Sequence, residues 1–405
     1  MAPVAPPLAV HDPVLPTEDL LGGGVPSVLA AAVEAAGGGV RSAVARQVTY
    51  QPGRAVTVRY DATLDVGGRA APASMGVAVG RPAPPGALVL EADGQQAVVW
   101  QAPHDPWLPG LAAALDEERV RTLLADLGAP AGLRRIRLRV YRPGRRAVVE
   151  VEGRQERVFL KVVPPDQAER MHRTHRALRP HVPVPASLGF SPELGIVVLQ
   201  ALPGATLRAA FDRSHAALPG ASALLAVLDR LPPSDASAPT AWRADSFAAL
   251  LGAVAPELRE RVEALRDGLV PFEEQARREP LVPVHGDFHE GQLLLHRGAI
   301  AGLLDVDTYG TGRRVDDLAT MIGHLVTLAP RRASRQAIEA YARRLLDVFD
   351  RQVDPALLRA AISAVVLGLA TGPFRVLEPG WRDAVAHRVV AAEQWLDSAR
   401  RVAGR

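Results

Sequence analysis

The chain has 405 residues, 48% of them apolar, and carries 47 Lys+Arg against 44 Asp+Glu, for a formal net charge of +3. That length exceeds one ordinary hydrophobic core and that apolar content excludes general disorder, so two or three packed units are expected. The basic residues are scattered, which argues against a nucleic-acid partner, and the absence of cysteine excludes disulfides, a thiolate nucleophile and a Cys-based zinc site.

The opening MAPVAPPLAVHDPVLP lacks a basic start and is broken by prolines, so it reads as a loose arm and not as a signal peptide. No apolar run reads as long enough to span a bilayer, and a soluble, cytoplasmic protein without a membrane partner is expected. VPSVLAAAVEAA, Val25 to Ala36, predicts a helix stopped by Gly37 to Gly39. VTYQPGRAVTVRY (Val48 to Tyr60) and RVYRPGRRAVVEV (Arg139 to Val151) share Tyr-x-Pro-Gly-Arg flanked by alternating apolar residues. Each predicts a β-hairpin turning at Pro-Gly. Both lead to a further apolar strand, ASMGVAVG in the first copy and RVFLKVV in the second, so one short unit occurs twice. Only the second copy has a lysine, and the first is expected to be a structural cap. Between them, DPWLPGLAAALDEERVRTLLADLG (Asp105 to Gly128) predicts helices closing the first unit.

That lysine, Lys161, is the only one in the chain. A composition rich in Ala, Pro, Gly and Arg moves exposed cations toward arginine, so a surviving lysine on an apolar strand calls for a partner or a task. The bland alternative is a solvated guard on a strand edge. Next, DQAERMHRTHRAL predicts a helix with Asp166 at its N-cap and Glu169 three positions on, a capping-box spacing. GIVVLQALPGATL predicts a buried strand that breaks at Pro203-Gly204, and from about Leu207 the pattern is helical apart from one hairpin between Val284 and Asp307. A strand-rich half before a helix-rich half argues for an α+β, two-lobed architecture. The expected units are a cap over 1–128, a strand-rich N-lobe over 129–202 and a helical C-lobe over 203–405.

The densest polar stretch is VPVHGDFHEGQLLLHRGAIAGLLDVDTYGTGRRVDDLA, Val282 to Ala319. A hairpin of Leu293 to Leu295 and Ala299 to Leu304 returns the chain, bringing Asp305 and Asp307 beside Asp287 and Gln292. Two or three carboxylates and an amide are how Mg²⁺ is held. A Walker-type site is excluded, because Leu160 stands where a glycine must precede the lysine.

In His285-Gly286-Asp287, Leu304-Asp305 with Asp307, and Asp317-Leu318-Ala319, the sequence resembles the aminoglycoside phosphotransferase-like branch of the kinase-like fold. The run H-G-D-x-H-x-G-Q and the N-terminal cap look similar to the maltokinase-type sugar kinases of that superfamily. The resemblance implies a bilobal protein-kinase-like fold and an ATP- and Mg²⁺-dependent transfer to a hydroxyl of a small molecule, a sugar or amino sugar. It implies that Asp287 is the catalytic base and that Asp305 is a metal ligand, with Gln292 in place of the family's Asn and Asp307 beside it. Lys161 is then the strand lysine on the α and β phosphates, with Glu169 as its helix partner. Adenine is expected against the backbone from Gln200 to Leu202, and the Tyr141 to Arg146 turn, including Arg145, over the phosphates.

Other roles compete. His285 reads as a structural loop histidine, His289 equally as a loop residue or a substrate contact, and Asp317 as a helix N-terminal acid bracing the loop. Trp242, Trp381 and Trp395 read as core. Two rival functions stand: a metal-dependent hydrolase using His285, Asp287, His289 and Asp305, and a catalytically degenerate kinase fold that only binds a partner.

Overall fold

The computed structural model describes residues 10–404 except 93, 130–131, 155 and 214–216. Helices α1 (Thr17–Leu21) and α2 (Ser27–Ala35) lead into strands β1 (Gly39–Gln51), β2 (Ala55–Val66), β3 (Arg69–Val79), β4 (Val89–Ala92) and β5 (Gln95–Gln101). Helices α3 (Gly110–Leu115) and α4 (Glu117–Asp126) then precede β6 (Arg135–Arg142), β7 (Arg146–Glu152), β8 (Arg157–Val162), helix α5 (Pro165–Leu178), β9 (Ser187–Ser191) and β10 (Ile196–Gln200). The two sheets have one design, with strand orders β1-β2-β3-β5-β4 and β6-β7-β8-β10-β9. The second half holds helices α6 (Leu207–Ala210), α7 (Ala221–Leu228), α8 (Ala244–Val254), α9 (Arg259–Ala276), α10 (Arg314–Leu328), α11 (Arg335–Phe349), α12 (Pro355–Ala370), α13 (Gly372–Arg375) and α14 (Trp381–Ala403). Short strands β11 (Ala205–Thr206), β12 (Leu281–Val284), β13 (Leu293–His296), β14 (Ala299–Leu303) and β15 (Gly310–Arg313) interrupt them. The architecture is the expected α+β, strand-rich then helical.

The repeat is longer than its shared turn. His11-Asp12-Pro13-Val14-Leu15-Pro16 returns as His104-Asp105-Pro106-Trp107-Leu108-Pro109, and each aspartate serves its own hairpin. Asp12 accepts from the Tyr50 hydroxyl at 2.6 Å and from the Gly53 amide at 2.8 Å. Asp105 accepts from the Tyr141 hydroxyl at 2.9 Å and from the Gly144 amide at 2.7 Å. Both turns close through an i to i+3 backbone bond, Arg54 to Gln51 and Arg145 to Arg142. The glycines take φ of +66° and +62°, the left-handed value a Pro-Gly turn demands of its third residue. A buried carboxylate on the turn amide thus fixes the hairpin tip in each unit.

Three expectations change. The supposed loose arm is built into the fold from Val10 onward: Val10, Leu15, Leu20 and Leu21 are buried, while residues 1–9 lie outside the described ones. The helices expected to close the first unit pack on the second sheet instead, where Leu108, Leu111 and Leu124 share a core with Val149, Leu160 and Val198. Third, Pro355–Arg375 does have the length and composition to cross a membrane, but 78% of its apolar window is buried in the protein. Packed between α10 and α14, it is the central helix of the second half.

The first unit is joined to both neighbours. Its Trp100 donates from the indole to the Tyr141 hydroxyl at 2.9 Å, and its Arg81 donates to the Gly144 carbonyl at 3.1 Å while lying 4.2 Å over the Trp107 ring. Its apolar core runs on into that of the helical half.

Candidate active site

Strand register sets the upper wall of the cleft. Val148 on β7 faces Lys161 on β8, and Arg142 on β6 faces Arg146 on β7. Alternate residues of a strand share a face, so Lys161, Arg146 and Arg142 all project toward the helical half. In the first unit the equivalent pair is Thr57 with Ala78, and Ala55 occupies the place of Arg146 two residues past the turn glycine. The first copy therefore keeps the turn and lacks the cations.

The lower wall is the hairpin β13–β14 and its flanks. After β14 the chain turns at Asp305, whose φ of 55° and ψ of 47° lie in the left-handed region, a conformation that aspartate tolerates better than most residues. A 3₁₀ turn over Val306–Thr308 follows. Asp305 and Asp307 both reach Lys161: its ammonium donates to Asp305 Oδ1 and Asp307 Oδ2, each at 2.5 Å. Lys161 is only 5% exposed. Arg146 adds a fork on Asp305, with contacts of 3.2 and 3.1 Å, the bidentate geometry that a planar guanidinium favours. Burial alone raises the Asp305 carboxyl, but Lys161 and Arg146 more than reverse this and hold it well below the carboxylate range.

Asp287 stands in the loop between β12 and β13, its side chain 43% exposed. Gln292 joins it to the others: the amide nitrogen lies 3.4 Å from Asp287 Oδ2, 3.5 Å from Asp305 Oδ2 and 3.2 Å from His289 Nε2. The loop is braced from beneath. Asp317, fully buried in the first turn of α10, accepts from the His285 and Gly286 amides at 2.7 and 2.9 Å. His285 donates from Nε2 to the Leu304 carbonyl at 2.9 Å and accepts the Asp287 amide at Nδ1. Both ring nitrogens are engaged, which leaves it no lone pair for a metal.

At the join between the halves, the Gln200 and Ala201 amides are bonded to Ala186 and Arg157 carbonyls, whereas the Leu202 amide has no backbone partner among the described residues. Arg145 sits exposed on the hairpin turn. Glu169 is elsewhere: its carboxylate is 58% exposed and pairs with Arg173 one turn on, at 2.8 Å. It is not a partner of Lys161, whose charge is met from across the cleft. Asp166 makes no cap either, because Pro164 takes the N-cap position of α5 without a side-chain bond.

Three further polar residues, Arg208, Glu290 and His324, escaped the sequence reading, and Arg146, read only as the last residue of the turn over the phosphates, is a partner of Asp305. Glu290 is fully buried, bonded by Arg208 at 2.7 Å and flanked by His289 and His324 at 3.6 and 3.8 Å. Burial would raise its carboxyl, yet these neighbours hold it down at about 2. His324 stacks on His289 with ring centres 3.9 Å apart. Its signal was its place seven residues after Asp317, two turns along the same face of α10.

The donors suit a hard cation. Asp305 and Asp307 offer carboxylate oxygens, and Asp307 Oδ1 is buried without a hydrogen-bond partner; an orphaned buried acceptor fits Mg²⁺, which one or two carboxylates normally hold. Asp287, His289 and His324 could gather around an ion of another kind.

Comparison with known proteins matches residues 137–357, more than half of the chain, to a family described as a phosphotransferase enzyme family. No curated protein matches. Among solved structures, aminoglycoside phosphotransferase APH(4)-Ia shares 16% identity at a TM-score of 0.48, over 69% of this chain and 97% of that one. The gentamicin-bound APH(2")-IIa shares 14% at 0.48, over 69% and 98%. Macrolide 2'-phosphotransferase MphH from Brachybacterium faecium shares 20% at 0.41, over 68% and 97%.

Proposed function

Because the chain belongs to the phosphotransferase enzyme family, a family of small-molecule kinases, we propose that it transfers the terminal phosphoryl group of ATP to a hydroxyl of a sugar or amino sugar, with Mg²⁺ and in the cytoplasm. The observation that carries this reading is the convergence of Lys161, Asp305 and Asp307 at 2.5 Å in the cleft between the halves. A lysine and two carboxylates held this close neutralise one another without ligand and are the charges that a metal-bearing triphosphate would exchange.

Asp287, in hydrogen-bond reach of Gln292 and open to the cleft, accepts the proton of the acceptor hydroxyl, a role worth about 10²- to 10⁴-fold. Lys161 and Arg146 turn from the carboxylates to phosphate oxygens and fix their orientation, since phosphoryl transfer asks mainly for positioning and charge neutralisation. The Leu202 amide is the free donor for the base. Asp305 and Asp307 would hold Mg²⁺, which when bound neutralises phosphate charge. Asp317 keeps the loop carrying Asp287 in place.

The test is a thermal-shift titration with ATP, with and without Mg²⁺, on the wild type and on Lys161→Ala and Asp305→Ala. At a hundredfold excess over Kd the ligand adds about 2.7 kcal/mol of apparent stability. A magnesium-dependent shift lost in both variants supports the proposal. The group of Asp287, His289 and His324 favours one second reading, a metal-dependent hydrolase. A shift with Zn²⁺ or Mn²⁺ alone and none with any nucleotide would support it and sink the kinase.

A further inference from the structure

Four arginines gather at the far end of the cleft, none of them ion-paired among the described residues. Arg142 is the cross-strand partner of Arg146 and so shares the face of Lys161. Arg145 stands on the hairpin turn between them. From the helical half come Arg375, half-buried at the end of α13, and Arg243, just before α8. Arg243 lies 5.6 Å over the Phe247 ring, and that ring fills the space beside Gly368 on α12, whose chain runs on into α13. None of the four has an ion-pair partner among the described residues; Asp305, the carboxylate near Arg142, is taken by Arg146 and Lys161. Burial lowers the Arg142 guanidinium to about 10, helped by Arg146, Arg375 and Arg145, and burial with Arg146 also lowers Arg375. Arg142 and Arg375 are half-buried while Arg145 and Arg243 are exposed at the rim, and like charges gathered this way are costly unless an anion completes them.

The nucleotide accounts for only part of this charge. Gln200, beside the free Leu202 amide, pairs with Val158 on β8, and Val158 pairs with Val151 on β7. Lys161 is three residues along from Val158, roughly 10 Å at a strand's rise, and Arg146 is five residues along from Val151, roughly 16 Å. A triphosphate running from the join between the halves reaches its end near Lys161 and Arg146. Arg142, Arg145, Arg375 and Arg243 lie at or beyond that end, and two of them come from the helical half that must seat the acceptor.

We infer that this arginine cluster seats an anionic group, a phosphate or a carboxylate, on the acceptor, so that the substrate is an acidic hydroxyl compound such as a sugar phosphate or sugar acid and not a polycationic amino sugar. This rests on the phosphotransferase reading and narrows its substrate class.

Calorimetric titration of the full chain, first with AMP-PNP and Mg²⁺ and then with glucose 6-phosphate, glucuronate, glucose or kanamycin, tests it. The expected result is that glucose 6-phosphate or glucuronate binds beside AMP-PNP while glucose and kanamycin do not. The stronger of the two names the anionic group. In Arg375→Ala and Arg243→Ala that binding weakens by about tenfold or more, as the loss of a charge-assisted bond of about 1.5 kcal/mol or more requires, while AMP-PNP still binds and so reports an intact fold. Failure of both acids to bind, or their displacement of AMP-PNP, overturns the acidic acceptor and leaves the kinase standing. Binding of the acids by a protein that never binds AMP-PNP overturns the kinase itself, and the acceptor assignment with it.

Discussion

Lys161 and Asp305 meet at 2.5 Å although 144 residues separate them in the chain, and this contact ties the second sheet to the hairpin side of the cleft. Replacing Lys161 with Met leaves Asp305 and Asp307 facing each other with Arg146 as their one strong counter-charge. The expected outcome is a fall in kcat of about 10²- to 10³-fold, the usual loss for one preorganised electrostatic contact. Steady-state ADP release measures it; a variant with wild-type turnover would remove Lys161 from the mechanism.

Asp287 offers a cleaner separation of chemistry from folding. Its side chain is 43% exposed, so Asp287→Asn should leave the melting temperature within a degree or two, while kcat drops by about 10²- to 10⁴-fold. Nucleotide affinity should hold, because the proposed role of Asp287 is toward the acceptor. Loss of ATP binding in this variant would place Asp287 among the nucleotide contacts instead.

The paired aspartates allow a comparison within one molecule. Asp12→Ala and Asp105→Ala each orphan a tyrosine hydroxyl and a glycine amide, at about 1–3 kcal/mol for each group left buried and unpaired. Both variants should melt early. Only Asp105→Ala should also raise the KM for ATP, since only its turn leads into Arg146. Equal KM effects would mean that the first unit does more than brace the second.

Asp316 sets a pH dependence. Burial, with Asp317 beside it, raises its carboxyl from 3.8 to about 6, and Oδ1 has no hydrogen-bond partner. Between those values the native state binds more protons than the unfolded chain, so this group makes stability fall as pH rises through the window and leaves a constant penalty above it. Asp316→Asn should therefore stabilise the protein by roughly 2–3 kcal/mol at pH 7.5 and by nothing below pH 4, an upper figure given by two pKa units at 1.36 kcal/mol each. Urea unfolding at the two pH values decides it.

Local patterns carried the fold a long way. Alternating apolar residues and Pro-Gly turns located both hairpins, and the spacing from Asp287 to Asp305 was enough to foresee that a two-stranded return would bring them together. What stayed hidden depends on distant partners. Glu169 has the spacing of a helix acid for Lys161, but α5 turns it toward solvent and Arg173. The charge on Lys161 is met instead by residues more than 140 positions away. Arg146, Arg375 and Arg142 look like their many fellows in the sequence, and only the folded chain sets them apart. The second His-Asp-Pro-x-Leu-Pro run was readable all along, yet its meaning needed the hydrogen bonds of Asp12 and Asp105.

The alanines at 55 and 78 have a use of their own. The chain holds an internal blank: a sheet with the same strand order, turn and anchoring carboxylate, but without the two cations. Introducing Arg and Lys at those positions would ask how much of a phosphate cradle comes from the scaffold and how much from the opposing wall. Among the described residues no counterpart of the Asp305 to Asp307 segment pairs with the first unit, so such a double variant should gain charge and bind no nucleotide there. In that case half of the cradle belongs to the helical lobe.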